Sequence, residues 1–261
     1  MDRITLRLIQ EKFHAYVRTF YSDDSLIQEN IKLKEDHSLR VCTIAEKLAK
    51  SLGLDAENSN LCMGIGILHD IGRFPQFSRY RTFRDNLSVN HAELGLTVLT
   101  ETDILAEINP AEEKIIRTAI LNHNRIEIEG NLDEQTFMHS KIIRDADKLD
   151  ILPLMIGYYE TRKHTPKPGL ELTFPDTSGF NEDIIDRIIK GERIPNNIRT
   201  NYNDLKLSQL SWLLDLNFPF SYRYADEHQF AEKLHSHLPD EKRINSAVAY
   251  VETVVRSRGT I

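Results

Sequence analysis

Thiols are scarce. Among 261 residues only Cys42 and Cys62 occur, too few for a disulfide framework or a cysteine-based zinc site, which fits a reducing compartment. Long apolar runs are missing too. The longest, 61–68, falls far short of the roughly 20 residues a bilayer-spanning helix needs. The first residues carry charge at Asp2, Arg3, Arg7, Glu11 and Lys12 and hold no secretory apolar stretch. These absences read as a soluble, cytoplasmic chain with no membrane partner. Basic excess is also lacking: the net charge is -7, so no nucleic-acid partner is expected. A small anionic ligand stays open, because a metal and a few Arg or Lys can outweigh the global sign locally. Alternating strand patterns, internal repeats and low-complexity runs are scarce or absent.

Helical spacing is what the chain has in quantity. Val41, Ile44, Ala45, Leu48 and Leu52 recur at three- and four-residue steps, and Gly53 ends that helix. Further helices are expected over 61–70 with a stop near Gly72, from a Ser88 cap through NHAELGLTVL, over 111–122, and over 139–151. Beyond them come 182–190, 204–216, 227–238 and 240–257. The best strand candidate, 170–174, is short and flanked by Pro and Gly, so the fold reads as all-α. Three prolines and two glycines in TPKPGLELTFPDTSG (165–179) mark a loop or lid. They divide an expected helical domain, 1–164, from an accessory C-terminal helical region, 165–261, packed on it.

Five short stretches carry chemistry: His37 in EDHSLRV, His69-Asp70 in LHDIGR, His91 in NHAELG, His123 in LNHNR and Asp147 in RDADKLD. On helical geometry His37 shares a face with Val41, Ile44 and Leu48, His123 with Ala119 and Ile116, and Asp147 with Ile143. Ionisable groups on inward faces are costly unless paired or metal-bound. A single histidine on such a face is ordinarily a hydrogen-bonded core residue. His14, His139, His164, His228, His235 and His237 have no context that lifts them above that. The ordered set on several helices is different, because one shared site explains every member. Imidazole and carboxylate without thiolate suit a transition metal rather than calcium. Four His and two Asp exceed one tetrahedral ion but serve two if a carboxylate bridges, and Asp70, mid-way in the series, is the natural bridge.

The order His37, His69-Asp70, Asp147 resembles the signature of the HD superfamily of metal-dependent phosphohydrolases, over residues 30–160. The resemblance implies an all-helical bundle with its metal in the middle, and makes Asp147 the last ligand with Asp145 behind it. The extra histidines resemble the subgroups that hold two ions. By that likeness His37, His69, Asp70 and Asp147 would hold the first ion, and Asp70, His91 and His123 the second. One or two divalent ions are implied, with Mn, Fe, Co, Ni, Zn and Mg not told apart. Members that hydrolyse guanosine tetraphosphate follow the doublet with an acidic pair; Arg73 and Phe74 stand there instead. The cyclic-dinucleotide GYP group is disfavoured as well, since Gly157-Tyr158-Tyr159 lacks its proline and lies after Asp147.

The implied chemistry is hydrolysis of a phosphomonoester or phosphodiester, most naturally of a nucleotide, by a metal-activated hydroxide that Asp70 orients as the catalytic carboxylate. Arg73, Arg125 and Lys148, each close in sequence to a ligand, are the candidate phosphate-binding cations. Surface pairing with an acidic neighbour would explain each of the three equally simply. A dinuclear iron oxygenase of the same superfamily uses the same ligand set. A non-catalytic nucleotide-binding regulatory module is a further alternative. Stripes on the C-terminal helices suit either a homodimer or packing within the chain.

Overall fold

A computed structural model describes residues 1–167, 169–170 and 174–260. Among these the regular structure is α-helix with short 3-10 turns and no strand. The expected strand at 170–174 falls on 171–173, which lie outside the described residues. No helix among the described residues is long and apolar enough to cross a membrane.

The chain divides into two compact units. The first is Met1–Asp150 with a short return at Gly169 and Leu170, and the second is Ile151–Lys167 with the residues after 173. The first contains α1 (Arg3–Arg18), α2 (Ser25–Ser51), α3 (Ala56–Leu68), α4 (Arg73–Tyr80), α5 (His91–Glu101), α6 (Pro110–His123) and the start of α7 (Glu134–Thr161). Asp24 opens α2 by accepting from the amides of Leu26 and Ile27. One face of α2 then buries Ile31, Val41, Ile44, Ala45 and Leu48. At its end Gly53 takes φ +67, a value that favours glycine. Helix α3 packs on α1, α2 and α6, and α4 bridges α2 and α5. Gly66 lets α3 approach α2, since a Cβ there would lie 2.8 Å from Cys42 Cα.

The second unit contains the end of α7, then α8 (Glu182–Lys190), α9 (Tyr202–Ser211), α10 (Pro219–Glu227), α11 (Phe230–His235) and α12 (Lys242–Gly259). Ile244, Ala247, Val248, Val251 and Val255 make the buried stripe of α12, at helical spacing, which packs on α8, α10 and α11.

Several helix bounds differ from the sequence expectation, each for a local reason. Helix α5 is capped by Asn90, whose side chain accepts from Ala92 and Glu93; the Ser88 hydroxyl instead donates to Arg84 O. Helix α7 is much longer than 139–151. Asp133 accepts from the Thr136 amide at its start, and the helix continues past Pro153. The expected helix over 227–238 is broken by Gln229 at φ 55, which separates α10 from α11. That over 204–216 tightens to 3-10 geometry from Trp212 to Asp215.

Candidate metal centre

Five helices of the first unit bring their polar residues to one place. His37 lies mid-way along α2, His69 caps the end of α3, His91 is the first residue of α5, His123 the last of α6, and Asp147 lies within α7. Asp70 follows α3 directly and sits among them.

The two oxygens of Asp70 face different pairs of imidazoles. Oδ2 is 3.6 Å from Nε2 of both His37 and His69, while Oδ1 is 3.4 Å from His91 Nε2 and 3.7 Å from His123 Nε2. Asp147 Oδ1 closes the first half, 3.2 Å from His37 Nε2 and 3.8 Å from His69 Nε2. Within each pair the Nε2 atoms converge, at 3.3 Å for His37 and His69 and 2.9 Å for His91 and His123.

What turns every Nε2 inward is the bond made by the opposite ring nitrogen. His69 Nδ1 lies 2.8 Å from Gly66 O and His123 Nδ1 2.5 Å from Ile120 O. Each bond uses a carbonyl in the last turn of the helix that carries the histidine. His37 Nδ1 meets Asp150 at 2.6 Å, and His91 Nδ1 meets Asp85 at 2.6 Å. With Nδ1 as the donor in each bond, the Nε2 lone pair is left for a ligand role.

The sequence model of the HD domain family matches residues 35–152. This stretch is an HD domain. No curated protein and no solved structure matches the chain.

The HD-domain centre fits divalent metal by the chemistry of its donors. His37, His69 and Asp70 form one group whose ligand atoms lie within 4.8 Å of one another, and Asp70, His91 and His123 form another. A third group joins His69, His123 and Asp147 across the two. Burial pushes His69 down to about 4, and burial with the nearby Arg73 charge pushes His91 down to about 3, so both are neutral, the ligating form, at pH 7. His37 moves upward: burial and Lys34 oppose its charge, but the Asp147 and Asp150 carboxylates outweigh them. Burial alone would raise Asp70 and Asp147. Lys34, His69 and Arg73 nevertheless hold Asp70 well below the usual carboxylate range, and His37 and His69 do the same for Asp147. Five of the six side chains are 5% exposed or less, whereas Asp147 is 28% exposed, so the HD-domain centre reaches solvent on the Asp147 side.

The cations and the rear carboxylate are arranged differently from the sequence expectation. Arg73, expected to face phosphate, turns its guanidinium to the chain itself: Nη1 donates to Asp85, Gln76 and Phe83 O. Arg125 is partly exposed and pairs with Glu129 on its own loop at 3.1 Å. Lys148 is half-buried on α7 beside Asp147. Asp145 is fully buried, yet the Nδ1 atoms of the four histidines face Asp150, Asp85 and two carbonyls, so the carboxylates behind the imidazoles are Asp150 and Asp85. Arg40 anchors Asp150 with two hydrogen bonds, at 2.7 and 3.0 Å.

The sequence reading missed Lys34, whose Nζ donates to Asp70 Oδ2 at 2.7 Å from one turn before His37. A lysine three residues from His37, on the inward side of α2, was the available signal. Asp150 had one too, lying three residues past Asp147 on the same helical face.

Gly72 decides how closely α5 approaches. A Cβ there would lie 2.2 Å from His91 O and 2.6 Å from Gly95 N, both backbone atoms that cannot swing away. Gly72→Ala is therefore expected to cost about 3 kcal/mol, at the upper end for an overpacked core, and to loosen His91. Chemical denaturation and metal content of the purified variant check both; a stability within error of the parent would contradict this packing.

Proposed function

We propose that the protein is a metal-dependent hydrolase of phosphate esters, with a nucleotide as the substrate class. The observation that carries this reading is Asp70, a buried carboxylate with one oxygen toward His37 and His69 and the other toward His91 and His123. That is the placement a carboxylate shared by two cations requires, and it lies within a family that is generally one of metal-dependent phosphohydrolases.

His37, His69, Asp70 and Asp147 would hold one ion, and Asp70, His91 and His123 the other. Cations bound there supply Lewis acidity toward a phosphoryl oxygen and make water more acidic at neutral pH. The chain's own residues do the rest. Asp150 and Asp85 fix the rings of His37 and His91 through Nδ1. Lys34 places an ammonium beside Asp70, where its charge favours the anionic ester and the charge that builds on it. Asp147, the least buried member, marks the side from which an ester would enter.

The test is elemental analysis of protein purified without added metal, followed by assay with Mn²⁺ of phosphate release from nucleoside monophosphates and of monoester release from phosphodiesters, under air and under anaerobic conditions. Hydrolysis independent of O₂, abolished by chelation, supports the reading. Oxygen consumption with an iron centre and no ester hydrolysis would replace it with oxygenase chemistry. Tight nucleotide binding without turnover under several metals would make the protein a binding module.

A further inference from the structure

The two halves of the centre are supported unequally. His37 is backed by Asp150, which projects from the long helix α7 and is clamped by Arg40. His91 is backed by Asp85, which sits on a three-residue 3-10 turn, Asp85–Leu87, that buries none of its own residues. Nothing within that turn fixes the carboxylate. Two side chains of α4 do. Gln76, fully buried, donates from Nε2 to Asp85 Oδ1, Ser88 Oγ and Val89 O, each at 2.9 Å. Arg73 Nη1 donates to Asp85 Oδ1 at 2.9 Å and to Phe83 O at 2.7 Å. One oxygen of Asp85 is thus tied to α4, while the other meets His91 Nδ1 at 2.6 Å and Asn124 Nδ2 at 3.4 Å.

Arg73 also touches the other carboxylate of this half. Its Nε is buried without a hydrogen-bond partner and lies 3.4 Å from Asp70 Oδ1, the oxygen that faces His91 and His123. The guanidinium is thus held through Nη1 by Asp85, Gln76 and a backbone carbonyl, with Nε beside Asp70, and its side chain is only 14% exposed.

We infer that Asp85, held by Arg73 and Gln76, sets the occupancy of the His91–His123 half, so that Arg73 is a positioning residue for the second ion. The inference rests on the two-ion reading above. Loss of an outer carboxylate behind a ligating imidazole lowers metal affinity about 10- to 100-fold. The change should fall on one half only.

The experiment is equilibrium dialysis against Mn²⁺ alone, with elemental analysis, on the full chain and on Asp85→Asn, Arg73→Met and Asp150→Asn. The expected result is two equivalents in the parent. The weaker equivalent should fall about 10- to 100-fold in affinity in Asp85→Asn and Arg73→Met while the other is unchanged. Asp150→Asn should weaken the other equivalent instead. Two intact equivalents in both Asp85→Asn and Arg73→Met would overturn the inference, as would a parent that binds one ion at saturating Mn²⁺. Asp85 is 33% exposed, so its substitution carries the test even where Arg73→Met does not fold. Because the readout is bound metal, failure of the hydrolase reading shows separately, as a parent that binds Mn²⁺ and hydrolyses neither monoester nor diester.

Discussion

Asp70→Asn will empty both halves of the centre and, in protein stripped of metal, will lower stability by about 3 kcal/mol. The first effect follows from its position, since each pair of imidazoles faces one of its oxygens. The second follows from the cations it leaves behind. Lys34 Nζ is 2.7 Å from Asp70 Oδ2 in a buried setting, and Arg73 Nε is 3.4 Å from Oδ1. An amide keeps the shape but not the charge, so a buried ammonium loses its counter-ion, the costly way to break such a pair. Lys34→Met removes the cation as well. The double variant should therefore regain much of the loss, with a coupling of at least about 1 kcal/mol. Denaturant unfolding of the four EDTA-treated proteins measures this cycle, and elemental analysis measures the metal. Additive losses would mean that Lys34 and Asp70 are not energetically paired.

Acidifying the metal-free protein from pH 7 to 4.5 will destabilise it by an amount on the order of several kcal/mol. Burial lowers His69 to about 4 and His91 to about 3, and burial also lowers His139, beside Cys62, to about 4. Each of these rings takes up a proton near pH 6.5 once unfolded but resists it when folded. The unfolded chain therefore binds more protons throughout that window, and stability falls as pH drops from about 6.5 toward the folded values. His37 acts in the opposite sense. Its raised folded value contributes stability below pH 6.5 that is lost as pH rises through that value. With His237 also lowered by burial, four lowered rings against one raised leave a net loss on the acid side. The lowered carboxylates Asp70, Asp85 and Asp147 extend the decline below pH 4. Guanidinium midpoints at pH 7.5, 6.5, 5.5 and 4.5 check the profile. His139→Leu, outside the centre, should flatten part of it; a level profile in the parent would contradict buried neutral imidazoles.

Much of this architecture could be read before any coordinates. Apolar residues at helical spacing mark α2, α6 and α12, and α8 is legible to the residue, because its last turn runs directly into Gly191 in the left-handed region. His37, His69, Asp70, His91, His123 and Asp147 stood out as polar groups on otherwise apolar faces, and the fold brings them together. Partner choice was harder to read. Asp150 reaches His37 from another helix, and in DADKLD one acidic residue looks much like another along the chain; Asp85 reaches His91 only because the loop before α5 folds back. Arg73 misled for a similar reason. Proximity to a ligand in sequence says that a guanidinium is near the centre, whereas its direction depends on where the 82–90 segment folds back. Ser88, the expected cap of α5, instead donates its hydroxyl to Arg84 O and accepts from Gln76, and Asn90 caps the helix.

The convergence of His37 with Asp147 and Asp150 also has a meaning in time. His37 and Asp150 are separated by 113 positions along the chain, whereas His91 and His123 are 32 apart. Loop closure over the longer span carries the larger entropic cost and is deferred until most of the first unit is in place. The His37 half of the centre is therefore completed only when α7 docks, late in assembly, and a nascent chain lacking α7 offers metal an incomplete set of ligands. Ion capture at the His37 half would then report a finished first unit rather than guide an unfinished one.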